Sequence, residues 1–441
     1  MVDRNITREV LRGTCTLGTP CYVANLMRSG FRCRGSLVFI LAVSTGMLRP
    51  SAAPAFIPVG ENKTLVPIPE IIADPNEGTT LGVLAALLMV DDKGNLERMI
   101  APDVRYNDNT GVYPSIRYFD YSLPQQRIFL QAGKATRLGE YFEATYSGER
   151  LLNGWLNVRG RAFHENDPFE RFYGFGNNTP NSAETNYLSD NTVMLGTAMV
   201  NATDAWQAGL QARVRVVRVR RGGVSSVQQL VDDPALKKAP GVDGATIVGP
   251  RFSIRYDTRD DTIQSSQGHL AEASTEIIDT ALGASASYLR YGFEERSFAP
   301  LRPDKGVILA TQAVLEYLQH GNQAPFFDQS SIGGIHSLRG FGTDRYVDND
   351  RFFARGELRC AVWNAPEWFT RQFQVNGHLE AAPFFETGRV FGTSRTFPLE
   401  NLHFVGGTGF RAVIPPQLVA YLDLGTTGDG VAIFTGVDYP F

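Results

Sequence analysis

RFFARGELRCAVW, residues Arg351–Trp363, sets Phe352, Ala354, Leu358, Cys360 and Val362 on one parity and Arg351, Arg355, Glu357 and Arg359 on the other. That is the two-residue period of a strand whose faces differ in chemistry. The same pattern recurs in RFSIRYDTR, where Phe252, Ile254 and Tyr256 oppose Arg251, Ser253, Arg255, Asp257 and Arg259. In ASASYLRYGFEERSF, Leu289, Tyr291 and Phe293 oppose Arg290, Glu294 and Arg296. Similar stretches lie at Trp155–Phe163, Val307–Leu318, Val375–Glu386 and Leu418–Leu424. Runs of about 10 to 14 residues match a tilted transmembrane strand. The ionised face mixes Arg with Asp and Glu, as a crowded, hydrated lumen requires. A large secreted β-sandwich would alternate too, and a propeller would show a blade-length repeat, which is absent. Backbone in lipid must be hydrogen-bonded, so the sheet is expected to close. The expectation is therefore all-β: a transmembrane antiparallel β-barrel over residues 79–441. About 17 candidate strands, one of them weak near Glu97–Arg105, reduce to 16 by the even-number rule for bacterial barrels.

Composition agrees. The 441 residues are 43% hydrophobic and 11% aromatic, too rich for a disordered chain. No window supplies the roughly 18 apolar residues of a spanning helix. Residues 1–55 read as an export signal: Arg28, Arg32 and Arg34, then the apolar run Ser36–Leu48, then small residues at Ala53 and Ala55. Met27 would give a leader of ordinary length, so the start is either Met1 or Met27. Residues 56–78 are expected to be a short periplasmic segment. Removing the leader leaves 35 basic against 44 acidic side chains, a net charge of −9, which argues against a nucleic-acid partner. Cys15, Cys21 and Cys33 fall in the leader, so Cys360 has no intrachain disulfide partner, and no Cys/His spacing suits zinc.

The chain ends VAIFTGVDYPF. Val431, Ile433, Thr435, Val437, Tyr439 and Phe441 share a parity. A terminal aromatic on an alternating strand resembles the signal read by the outer-membrane barrel assembly machinery, making that machinery an expected partner during biogenesis. Gly436 interrupts this strand, and glycine weakens a strand.

Between two strands, Gln319 to about Asp350, lies GGIHSLRGF: Gly333, Gly334, Ile335, His336, Ser337, Leu338, Arg339, Gly340 and Phe341. This resembles the signature of the bacterial surface antigen superfamily, the barrel shared by BamA-like and TamA-like assembly factors. YDTRDD (Tyr256–Asp261) with Gln267–Gly268, RGELR (Arg355–Arg359), FFETGRV (Phe384–Val390) and VGGTGFR (Val405–Arg411) are similar to family segments in the same order. FYGFGNNTP (Phe172–Pro180) is similar to a loop of shorter relatives. The resemblance covers roughly residues 165–441. It implies a long loop folded inward, with Arg339 at its tip, and a role in inserting or translocating polypeptide. It also implies periplasmic POTRA domains, for which the stretch between the leader and the first strand leaves no room. A separate periplasmic partner or a polypeptide client is the corresponding expectation.

The loop chemistry has its own logic. Gly333, Gly334 and Gly340 permit a tight tip with φ > 0. A permanently charged guanidinium inside a barrel needs an acidic partner. The inward candidates are Glu357, Glu380 and Glu386, and we expect Arg339 to pair with Glu386.

ARVRVVRVRRGG (Ala212–Gly223) is the most basic stretch. Arg213 and Arg215 share one parity, Arg218 and Arg220 the other. Either a bulge resets the alternation or the second pair sits at the membrane–water interface, facing outer-membrane lipid or lipopolysaccharide. No catalytic elbow, zinc motif or phosphate loop is present, so no enzyme and no cofactor are expected. His336 beside Ser337 does not make a dyad, and Asp348 with Asp350 lacks the rest of a calcium loop. Two other functional classes stay open: a passive, anion-leaning pore, and a structural surface antigen or adhesin.

Overall fold

The structure is a computed structural model that describes residues 57–437 except 75, 93, 263, 374–375, 393–398, 415–417 and 428–429. Residues 1–55, expected to be an export signal, and the terminal Tyr439 and Phe441 lie outside the described residues.

Among the described residues, eighteen strands run in sequence around one sheet. They are β1 (Lys63–Asp74), β2 (Gly78–Val90), β3 (Leu96–Asn107), β4 (Gly111–Asp120), β5 (Gln126–Lys134), β6 (Glu140–Arg150), β7 (Leu156–Phe172), β8 (Thr185–Asn201) and β9 (Trp206–Arg221), followed by β10 (Ala245–Asp257), β11 (Gly268–Ile278), β12 (Tyr288–Pro300), β13 (Val307–Gln319), β14 (Asp350–Asn364), β15 (His378–Phe391), β16 (His403–Ile414), β17 (Leu418–Thr426) and β18 (Val431–Val437). Each pairs antiparallel with the next, and β1 returns to β18 through Ala73 opposite Ile433. Two short strands join the sheet without entering the ring: Ile57–Gly60 beside the start of β1, and Gln228–Gln229 beside β8.

Two expectations are corrected. The ring has eighteen strands rather than sixteen, and the sheet begins near residue 57 rather than at 79. Both errors share a cause. KTLVPIPEIIAD carries two prolines and little polar contrast, so it reads as a linker, yet its backbone pairs with β2 from Lys63 opposite Met89 to Asp74 opposite Gly78. The weak candidate near 97–105 is a full strand, β3.

Burial is inverted relative to a water-soluble protein. Along β14, Arg355, Glu357 and Arg359 are at most 5% exposed. The apolar parity is the open one: Phe293 is 47% exposed, and Leu210, Phe252 and Ile254 are exposed as well. In water each such side chain would forgo about 1.5–3 kcal/mol of burial energy. A hydrocarbon surround removes that cost, and a hydrated interior accepts the ions. Phe293 sits at the middle of β12 on the outer parity. Phe293→Arg is expected to lower stability by about 2–4 kcal/mol, as charges do at a bilayer midplane. Urea unfolding in lipid vesicles measures it, and an unchanged midpoint would place this face in water.

Candidate functional site: a loop clamped inside the barrel

The connection from β13 to β14, residues 320–349, forms a stem and a tip. Ser330–Ile332 pairs antiparallel with Tyr346–Asp348 to make the stem. Gly333 and Gly334 turn the chain at φ 127° and 84°, values that side chains disfavour. Ser337 closes the turn: its hydroxyl accepts from Gly333 N–H at 2.7 Å and donates to the Gly333 carbonyl at 3.0 Å. Gly340 is different from the expectation, because its φ is not positive. Its value is space, since a Cβ there would lie 2.6 Å from Thr427 Cγ2 and 3.1 Å from Val405 Cγ1. Leu338 is wholly buried among Ile332, Phe353, Phe384, Val390 and Val405, and Phe341 meets the rings of Tyr346 and His403 edge-on.

Arg339 has no solvent exposure. Its Nε donates to Glu386 Oε1 at 2.6 Å, and its backbone N–H donates to Glu386 Oε2 at 2.6 Å. Nη1 donates to Asp423 Oδ2 at 2.8 Å and to Glu357 Oε2 at 3.1 Å. The guanidinium carbon stands 3.6 Å over the Phe384 ring. The three carboxylates come from β14, β15 and β17, so one loop side chain ties three wall strands. Arg411 bridges Glu357 and Asp423, and Arg359 donates to Glu357 at 3.0 Å. Thus every acid here is shared between cations, which limits the desolvation cost of burying charge.

Of the three acids expected from the sequence, Glu386 and Glu357 touch Arg339. Glu380 does not belong to this contact. It shares the parity of Glu386 but lies six residues, about 20 Å, along the strand, and His378 stands 2.9 Å from it. Asp423 was missed, although an acid at inward parity in LVAYLDLGT is a legible signal. Gly436 occupies β18 opposite Tyr421.

A second anchor of reversed polarity lies at the root of the loop. Asp328 accepts from Arg213 at 2.7 and 2.9 Å, from Arg215 at 3.2 Å, from Arg290 at 3.0 Å and from the Tyr288 hydroxyl at 2.6 Å. Glu276 and Glu316 sit behind those arginines. Burial opposes the Asp328 charge, but Arg213 and Arg290 outweigh it and hold the carboxyl well below the usual range. Nothing in the sequence around Phe326–Asp328 marks this role.

Neighbouring connections hold the loop from above. Arg345 donates to the Thr179 hydroxyl at 2.9 Å and carbonyl at 2.7 Å, and to Asn181 Oδ1 at 2.8 Å, with Tyr173 under its guanidinium. Gly176 N–H donates to the Val347 carbonyl at 2.8 Å. The segment FYGFGNNTP is therefore a brace for the loop. Among the described residues no group of metal-ligating side chains gathers.

Solved structures with a similar course include BamA from Haemophilus ducreyi lacking POTRA domains 1–3 (14% identity, 85% of this chain on 74% of that one, TM-score 0.49). CdiB from Acinetobacter baumannii gives 10% identity, 86% on 60% and a TM-score of 0.38, and CdiB from Escherichia coli 13%, 87% on 62% and 0.41. The chain thus spans about three-fifths of each CdiB. No curated protein sequence matches. The model of the Omp85 superfamily domain matches residues 126–412, well over half of the chain and including the whole clamped loop. The chain belongs to the Omp85 superfamily, whose β-barrel relatives are outer-membrane proteins.

Proposed function

We propose that this protein inserts or translocates polypeptide at the bacterial outer membrane, with residues 320–349 acting as a held plug. The observation that carries the reading is Arg339, a fully buried loop cation engaged by carboxylates from three wall strands. A passive pore gains nothing from so costly an anchor. A release path is supported by the seam. Between residues 69–73 of β1 and 433–437 of β18, the described residues share the pair Ala73 and Ile433. By contrast, β17 and β18 pair from Ala420 opposite Val437 to Thr426 opposite Val431.

The test is a disulfide across that seam, Ala73→Cys with Ile433→Cys. In proteoliposomes offered a urea-unfolded barrel client, the parent is expected to speed insertion over empty liposomes. The oxidised double variant should lose that gain, and reductant should restore it. A parent that gives no acceleration but conducts anions freely in planar bilayers would establish the pore reading instead, which the arginine wall at Arg213, Arg215 and Arg290 favours. Affinity capture from a periplasmic extract tests for a separate client-binding partner.

A further inference from the structure

The basic stretch on β9 resolves without a bulge. Its ladder with β8 runs unbroken from Gln207 opposite Asn201 to Arg221 opposite Tyr187. Arg213 and Arg215 reach the loop inside the barrel. Arg218 and Arg220 therefore continue the outer parity of Leu210, Ala212 and Val214. Trp206, exposed on that parity and packed at a tilt against Tyr256 with ring centroids 5.1 Å apart, marks the opposite interface. The twelve residue steps from Trp206 to Arg218, tilted by about 40°, climb about 30 Å, one hydrocarbon thickness. Arg218 and Arg220 thus stand at the headgroup level on the long-loop side.

They have company in the same register rows. Lys134, Glu140, Asn166, Asp190 and Arg218 lie side by side across β5 to β9. Lys134 meets Glu140 at 2.8 Å, and Arg220 meets Asp190 at 2.8 Å. His164, one row down, meets Glu140 at 3.3 Å and Thr192 at 2.9 Å. Arg218 is exposed and makes no ion pair with any described residue. With Arg220, one row further along β9, the rim holds three fixed cations against two carboxylates, with the surplus on Arg218.

Beyond the row of Ala132, Phe142, His164, Thr192 and Val216 lies an open, almost wholly apolar groove of about 620 Å³ in the outer wall. Its floor is Ala144, Gly160, Ala162, Gly196 and Ala212, and Leu130 and Met194 rise at its sides. Gly160 and Gly196 face each other across β7 and β8, and a Cβ on either would meet nothing within 4 Å. Apolar hollow and basic rim follow one another along the same five strands.

We propose that this face binds a phosphorylated, acylated lipid of the outer leaflet. Acyl chain fills the groove, and Arg218 with Arg220 takes the phosphate. A guanidinium fork matches phosphate oxygens, and its strength rises at the edge of a low-dielectric region. The inference needs only a barrel in a bilayer and stands apart from the transport role.

The experiment is native mass spectrometry of the detergent-solubilised full chain with bisphosphorylated, hexa-acylated lipid A. The parent is expected to retain the lipid, with fully dephosphorylated lipid A held at least ten-fold less. Arg218→Glu with Arg220→Glu should lose at least ten-fold, and Gly196→Leu, which fills the groove, should lose comparably. Arg302→Glu, an exposed arginine on the β12–β13 turn, should change nothing. Folding of each variant is read by heat-modifiable gel migration. Should the double variant not fold, the dephosphorylated-lipid arm on the parent decides alone. Equal retention of both lipids, or displacement by inorganic phosphate at equal concentration, overturns the proposal.

Discussion

Arg339→Ala is expected to lower the unfolding free energy by about 3–5 kcal/mol, the usual consequence of removing one partner from a buried ion cluster. Glu386, Glu357 and Asp423 would keep Arg355, Arg359 and Arg411 nearby, but Glu386 Oε1 would lose its Nε donor from the loop, while Oε2 keeps the backbone N–H of residue 339. Arg339→Lys should recover less than half. A lysine cannot reach Glu386 and Asp423 at once, nor lie flat over Phe384. A double-mutant cycle with Glu386→Ala should return a coupling of about 2–3 kcal/mol. Urea unfolding in vesicles gives each number. An Arg339→Ala midpoint equal to the parent's would mean that the tip is not an anchor.

Asp328→Asn tests the other end. It strands Arg213, Arg215 and Arg290 beside one another, and the expected loss is again about 3–5 kcal/mol. The pH behaviour separates it from a surface acid. The folded carboxyl is held below its unfolded value, so its contribution is complete above the ordinary carboxylate range and lost only as pH falls through the depressed value. Asp328→Asn should therefore cost the same at pH 7 and pH 4.5. A cost that halves at pH 4.5 would show the folded carboxyl titrating above the ordinary carboxylate range rather than below it. Because the two anchors hold one loop, either single variant should leave the lumen largely blocked. The combination with Arg339→Ala should raise planar-bilayer conductance several-fold above either single variant. Full conductance from Arg339→Ala alone would show that the root anchor holds nothing.

How much of this was legible depends on how far each residue's partner lies along the chain. Alternation in Arg351–Trp363 needs only its own neighbours to set an ionic and an apolar parity, because the strand period is local. The same holds for Arg218 and Arg220, whose parity is visible in the text. Which parity faces lipid is not local, nor is the absence of a bulge, since both depend on how β8 and β10 pair with β9. KTLVPIPEIIAD was misread for the same reason. Its strand character comes from β2, and proline-bearing segments give no internal sign of it.

The site divides in the same way. Period along the chain was enough for a closed sheet with ions inside, and the need to neutralise a buried guanidinium was enough for two of that arginine's three acids, while the inward loop with its Arg-Gly-Phe tip was what the family resemblance implied. It took the folded arrangement to show that Asp423 completes the trio, that Asp328 makes a reversed clamp, that Gly340 serves packing rather than turning, and that eighteen strands close the ring. Each of those rests on side chains up to more than a hundred residues apart meeting across the lumen, and pairing energies of that kind depend on distance in space, which alternation along a strand does not encode.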